Sequence, residues 1–226
     1  MDESRNEFDV SIKIVVLAFD KPNSIVCLLK SLEKALKCIS AQQRFELLIS
    51  IDGGGNIDTH LIQRLCKDLD NISSFELQHH HSNLGLLGHY NKLFSSLEGS
   101  DYYIFLEDDI VLSPYSLQAL EQMLPFINGN VVGASLYSPK YDEINKAEFI
   151  PVNPGALFKM MVPSSLGWCT THSCLAEFQS WDPKKSKIDS NLLDWGENSF
   201  KRVWYNWIVS SDKYFLYPKT SFLTLS

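Results

Sequence analysis

The chain has 226 residues, 45% of them hydrophobic and 21% charged, the balance of a globular protein able to bury a sizeable core. Its 27 acids and 20 bases leave a formal net charge of −7, which argues against a nucleic-acid binder with a basic surface. No run of about 18 apolar residues reads as a membrane span, and the charged start M-D-E-S-R-N-E-F-D-V lacks the apolar centre of a signal peptide. The five cysteines (Cys27, Cys38, Cys66, Cys169, Cys174) form no C-x-x-C pair and are odd in number, so they read as buried free thiols in a reducing compartment. The expected setting is cytoplasmic, with any membrane contact peripheral.

Residues 11–19 (S-I-K-I-V-V-L-A-F) read as a first strand running into Asp20-Lys21-Pro22. Asn23 is placed to cap a helix whose apolar positions Ile25, Leu28, Leu29, Leu32 and Leu36 recur at helical spacing. Residues 45–51 (F-E-L-L-I-S-I) form a second strand that ends in Asp52 and three glycines, and Ile57, Leu61, Ile62, Leu65 and Leu69 trace a second helix. A short third strand at 75–79 precedes N-L-G-L-L-G and a helix through Tyr90, Leu93, Phe94 and Leu97. Residues 102–106 (Y-Y-I-F-L) are an unbroken aromatic and branched run, the pattern of a strand buried on both faces. Ser113 and Pro114 then read as N-cap and first residue of a helix along Leu117, Leu120 and Leu124. This alternation predicts an α/β protein with a parallel sheet and right-handed crossovers.

The fourth strand ends in three consecutive acids, Glu107, Asp108 and Asp109, followed at once by Ile110-Val111-Leu112. Carboxylates set between apolar runs are costly to bury without a positive partner. Either the turn is a solvated acidic one, or it holds a divalent cation, Mn²⁺ or Mg²⁺, whose hard oxygen ligands often include substrate phosphates. Asp20 and Asp52 likewise end strands. Each either caps its turn or accepts hydrogen bonds from a base or ribose, and all three acidic sites fall on one edge of the sheet, where open α/β sheets bind ligands. No G-x-G-x-x-G follows the first strand and no G-x-x-x-x-G-K-[ST] is present, so a phosphate group would need holding by other means.

Together, D-K-P after L-A-F, the S-I-D-G-G-G turn, N-L-G-L-L-G-H-Y-N, L-E-D-D-I, S-L-G-W at 165–168 and the late K-Y-F-L-Y-P-K resemble nucleotide-sugar glycosyltransferases of the GT-A fold. The similarity is to family 2-like enzymes and relatives of N-acetylglucosaminyltransferase I, and it covers residues 11–226. It implies a Rossmann-like, mostly parallel central sheet flanked by helices in a single domain across 1–226, with a nucleotide-binding half at 11–112 and an acceptor and donor-sugar half at 113–226. The implied activity is inverting, metal-dependent transfer of a hexosyl or N-acetylhexosaminyl group from a UDP-sugar to a hydroxyl of a glycan or glycolipid, as in polysaccharide biosynthesis.

By the same resemblance Asp109 coordinates the metal, with Glu107 and Asp108 reaching it through water or binding ribose. Asp52 recognises uracil, and the Ala18-Phe19-Asp20 backbone flanks it. Asn83, Gly85, His89 and Asn91 lie near nucleotide and metal, with His89 a contact rather than a catalyst. Trp168 lines the donor sugar, with Trp195 a second candidate, and the remaining tryptophans read as core.

Inverting transfer needs a carboxylate to take the acceptor hydroxyl's proton. Where relatives carry W-D-x-x-W, this chain has Trp204-Tyr205-Asn206-Trp207, which leaves Asp194 and Glu197 as candidate bases. The polar run 181–190 reads as a loop able to close over the donor. Two other classes remain. A non-catalytic nucleotide- or glycan-binding domain would account for the missing acid, whereas a nucleotidyltransferase is disfavoured because D-K-P-N stands where a glycine-rich basic loop would follow strand one.

Overall fold

The computed structural model describes residues 10–151, 155–185, 195–196 and 199–226. The first half is the expected alternation: β1 (Ile12–Ala18), α1 (Pro22–Lys37), β2 (Phe45–Ile51), α2 (Thr59–Cys66), β3 (Ile72–His79), α3 (Gly85–Phe94) and β4 (Tyr102–Glu107). After it come β5 (Ile110–Leu112), α4 (Ser116–Met123), β6 (Val131–Ser135) and a small hairpin of β7 (Tyr141–Asp142) and β8 (Ala147–Glu148). The rest comprises β9 (Leu157–Met160), β10 (Trp168–Thr171), α5 (His172–Ser180), α6 (Phe200–Ser210), β11 (Tyr214–Pro218) and β12 (Leu223–Leu225).

Eight strands form one sheet in the order β3-β2-β1-β4-β10-β6-β11-β9. The first four are mutually parallel, so β1, β2 and β4 all end on the same edge. Beyond β4 the sheet is mixed. β10 runs antiparallel between β4 and β6, β11 is parallel to β6, and β9 closes the edge antiparallel, so four of the seven pairings are parallel.

Alternation along the strands divides the core into two layers, because successive side chains point to opposite faces. Ile14, Val16, Ile104 and Leu106 face a layer of aliphatic side chains from α1, α2 and α4. Val15, Leu17, Tyr103 and Phe105 face an aromatic layer built by Tyr90 and Phe94 of α3, Phe178 of α5, and Phe200, Trp204 and Trp207 of α6.

Two helix starts differ from the expectation. Lys21, not Asn23, takes the N-cap of α1, because Pro22 sits at N1, where its fixed φ suits the first helical residue and its missing N–H costs nothing. α4 begins at Ser116 instead of Pro114. Residues 110–112 form a strand instead of leading straight into the helix, and Ser113 makes the intervening turn, its carbonyl accepting from the Ser116 N–H at 3.0 Å. That strand pairs antiparallel with β12, Val111 opposite Thr224, and the Ser226 N–H donates to the Asp109 carbonyl at 2.8 Å. The last residues described therefore brace the acidic turn.

All five cysteines are free thiols, but only Cys66 and Cys169 are buried: Cys38 and Cys174 are half-buried, and Cys27 is exposed on the outer side of α1. Among the described residues no helix is long and apolar enough to cross a membrane.

Candidate active site

Because β1, β2 and β4 run in parallel, the turns after them meet, and a cleft of about 410 Å³ opens over their carboxyl ends. The cleft gathers Ala18, Phe19 and Asp20 from the first turn and Asp52 from the second. Asn83, Gly85 and His89 enter it from the start of α3, and Glu107, Asp108 and Asp109 from the end of β4.

Backbone proximity sets the shape of the first two turns. The Asp20 carboxylate accepts the Asn56 N–H at 2.9 Å, and the Asp52 N–H donates to the Ala18 carbonyl at 2.8 Å. Glycine is required at two positions: a Cβ on Gly55 would stand 1.8 Å from the Phe19 carbonyl oxygen, and one on Gly53 would stand 2.4 Å from the Ser82 backbone.

Asp52 is buried and largely occupied. Its Oδ1 accepts from the N–H groups of Gly53 (2.9 Å) and Leu84 (2.8 Å), and its Oδ2 accepts from Gly85 (3.0 Å). A carboxylate has about four acceptor positions, so one on Oδ2 is left over. Asp108 is also spent on the scaffold: its Oδ2 accepts the Phe19 N–H at 3.0 Å, tying the end of β4 to the turn after β1. Burial pushes its carboxyl up, and that hydrogen bond holds it partly down.

Glu107 lies deeper. Burial, and after it the charge of Asp109, pushes its carboxyl up to about 7, while the Tyr90 hydroxyl, donating to Oε1 at 3.2 Å, works the other way. Tyr90 is fully buried and stacks on Phe200 with ring centroids 3.8 Å apart, which joins the floor of the cleft to the aromatic layer.

Asp109 faces the cleft with its two oxygens in different states. Oδ2 pairs with the Lys21 ammonium at 2.7 Å, and Oδ1 is buried with no hydrogen-bond partner. Lys21 is the only lysine or arginine among the described residues that line the cleft, against five carboxylates: Asp20, Asp52, Glu107, Asp108 and Asp109.

His89 is buried and bonded through Nε2 to Ser50 Oγ at 2.7 Å, and Ser50 Oγ also meets His80 Nε2 at 3.2 Å. Burial pushes the His89 imidazole down to about 4, so it is neutral at physiological pH.

Two expectations, Trp168 and Asn91, fall outside this cleft. Trp168, expected against the donor sugar, is fully buried: it opens β10 opposite Phe105 and stacks on that ring at 4.5 Å, with Trp204 edge-on at 5.0 Å. Its place in this structure is the core. Asn91 is exposed on α3 and does not line the cleft. Asp194 and Glu197 lie outside the described residues, as does most of the polar run 181–190, whose described part ends in a helical turn, Pro183–Lys185.

Trp195 is half-buried, donating from its indole to Glu143 Oε2 at 2.8 Å beneath the Lys201 ammonium, which lies 4.9 Å from its ring centroid. Glu143 and Lys201 line a second cavity of about 190 Å³ together with Tyr137, Ser165 and Tyr217. Sequence reading missed Lys21, which looks like an ordinary turn residue between Asp20 and Pro22. Its pairing spans 88 positions, and only the crowding of acids on the same edge hinted that a base would be drawn there.

Solved structures share this architecture. Staphylococcus aureus TarS residues 1–349 in complex with UDP superposes with a TM-score of 0.60 at 13% identity, over 95% of this chain and 60% of that one. The UDP-GlcNAc complex of the same protein gives 0.59 at 12%, over 95% and 58%. GalNAc-T7 with UDP, GalNAc and Mn²⁺ gives 0.64 at 12%, over 96% and 44%. The fold is GT-A. The chain spans less than two thirds of each of these structures, and at such identities the fold is what they share. No family model and no curated protein matches the sequence.

A divalent cation, which the GT-A resemblance implies, fits these residues on one observation: the buried Asp109 Oδ1 lacks any partner. Among the described residues no group of three or more His, Cys, Asp or Glu side chains could hold an ion unaided. Asp109, with Glu107 beside it, would therefore share the ion with ligand oxygens and water, the usual habit of Mg²⁺ at phosphate sites.

Proposed function

We propose that this chain is an inverting, metal-dependent glycosyltransferase that moves a hexosyl or N-acetylhexosaminyl group from a UDP-sugar to a hydroxyl of a glycan or glycolipid. The observation that carries the reading is the unpartnered Asp109 oxygen in a cleft of five carboxylates and one lysine. A diphosphate entering so acidic a cleft would be repelled unless a cation came with it. The remaining acceptor position on Asp52 Oδ2 suits the single ring N–H of uracil, with the Ala18-Phe19-Asp20 turn alongside the base.

In this scheme Asp109 and Glu107 would hold Mn²⁺ or Mg²⁺, which would supply positive charge against the departing UDP. The acceptor oxygen forms its bond to the anomeric carbon as the bond from that carbon to the diphosphate oxygen breaks, and the hydroxyl's proton passes to a carboxylate. Asp194 and Glu197 are the proposed bases. Residues 11–112 form the nucleotide half and 113–226 the acceptor half, where the cavity beside Glu143, Lys201 and Trp195 offers polar and aromatic groups to a sugar. The proposed setting is cytoplasmic, with peripheral contact at a membrane where the acceptor is a glycolipid.

The test is UDP release from a panel of UDP-sugars with Mn²⁺ or EDTA. Metal-dependent release with sugar transfer is expected. Pyrophosphate release from UTP and a sugar 1-phosphate, assayed alongside, would point instead to nucleotidyl transfer, and nucleotide binding without turnover to a non-catalytic domain.

A further inference from the structure

We propose that Lys21 serves two anions in turn: it neutralises Asp109 while the cleft is empty, then yields that carboxylate to the cation and moves to the diphosphate of the incoming nucleotide. The inference rests on the nucleotide-sugar reading above and adds a residue to it.

Four observations carry it. First, Lys21 Nζ lies 2.7 Å from Asp109 Oδ2, so the ammonium and any cation bound through both Asp109 oxygens compete for one carboxylate. Second, the partner oxygen Oδ1 is buried and unpaired, so Lys21 satisfies only one of the two carboxylate oxygens. Third, Lys21 stands at the N-cap of α1 and its side chain is about half exposed (53%), so a four-carbon stem anchored on a rigid helix start can swing its ammonium without moving the backbone. Fourth, among the described residues it is the only lysine or arginine lining the cleft, hence the only fixed side-chain cation there that can meet a phosphate oxygen.

The two roles carry opposite signs, which a purely structural lysine would not produce. Removing the ammonium removes a competitor for the cation but also removes a ligand for the diphosphate. An exposed ion pair of this kind is a weak competitor, so Lys21→Met should tighten Mn²⁺ binding to the nucleotide-free chain by about two- to fivefold. With Mn²⁺ saturating, the same substitution should weaken UDP binding on the order of tenfold, as expected for loss of a charge-assisted hydrogen bond. Lys21→Arg keeps the charge and should stay close to the native chain in both measurements.

The experiment is Mn²⁺ titration followed by electron paramagnetic resonance, and UDP titration by calorimetry at saturating Mn²⁺, on the native chain and both variants, with circular dichroism confirming that each is folded. Tighter Mn²⁺ together with weaker UDP in Lys21→Met, and recovery in Lys21→Arg, is the expected pattern. Unchanged Mn²⁺ affinity, or no Mn²⁺ binding to any form, overturns the competition; unchanged UDP affinity overturns the transfer to diphosphate. A native chain that binds Mn²⁺ but not UDP overturns the nucleotide-sugar reading itself, and the Mn²⁺ comparison then still judges the pairing of Lys21 with Asp109.

Discussion

Replacing Asp52 with alanine removes the acceptor for three backbone N–H groups at once, those of Gly53, Leu84 and Gly85. Two of the three have no substitute. Gly85 keeps a second acceptor, because Asn83 Oδ1 lies 2.7 Å from its N–H. At about 1–1.5 kcal/mol for each of the two donors left without a partner, the loss is about 2–3 kcal/mol. For a chain of this size that lowers the midpoint of thermal unfolding by about 5–10 °C.

Asp52→Asn retains the Oδ1 acceptor and turns an NH₂ group toward Gly85, so it should cost about half as much. Urea denaturation and scanning calorimetry of the three proteins give the comparison. If Asp52→Ala stays within about 0.5 kcal/mol of the native chain, as an uninvolved surface position would, the account of how the second turn is tied to α3 is wrong.

Glu107 gives the folded chain a pH dependence of definite sign. Its folded carboxyl keeps a proton up to about 7, against an ordinary value of 4.5, so its effect is absent below pH 4.5 and destabilising as pH rises to 7, by about 3 kcal/mol at most. Without metal, Glu107→Gln should flatten that slope, and equal slopes between pH 5 and 8 would refute it. Gly55→Ala should cost on the order of 1–3 kcal/mol, because its Cβ would overlap the Phe19 carbonyl, and should weaken UDP binding with it. Trp168→Phe should lower stability by about 1–3 kcal/mol while leaving UDP-sugar affinity unchanged; lost affinity at full stability would return Trp168 to the sugar.

Much of the nucleotide-side sheet was legible because its signals are local. Val15, Leu17, Ile14 and Val16 alternate between two buried layers, so the strand reads as continuously apolar, and an acid directly after such a run must lie at its end. Asp20, Asp52 and Glu107–Asp109 therefore fall on one edge of the sheet from the sequence pattern alone. What sequence could not supply was pairing across long separations. The insertion of β10 antiparallel between β4 and β6, the bracing of the acidic turn by β12, and the reach of Lys21 to Asp109 depend on residues about 30 to 115 positions apart and have no periodic signature.

The burial of Trp168 was hidden for a similar reason. A tryptophan after a glycine reads equally as a sugar platform or as core, and only the convergence of Tyr90, Phe105, Phe200 and Trp204 around it decides. The commitment of Asp52 and Asp108 to backbone N–H groups is likewise a product of how the turns fold together, since a carboxylate facing a ligand and one capping a loop are the same letter.

The most direct measurement is calorimetric titration of UDP into the chain with Mn²⁺ and with EDTA, repeated on Asp109→Asn. The account predicts that the native chain binds UDP far more tightly with Mn²⁺ and that the variant, still folded, loses this enhancement. Equal UDP affinity with and without metal, or an enhancement that survives in Asp109→Asn, would contradict it.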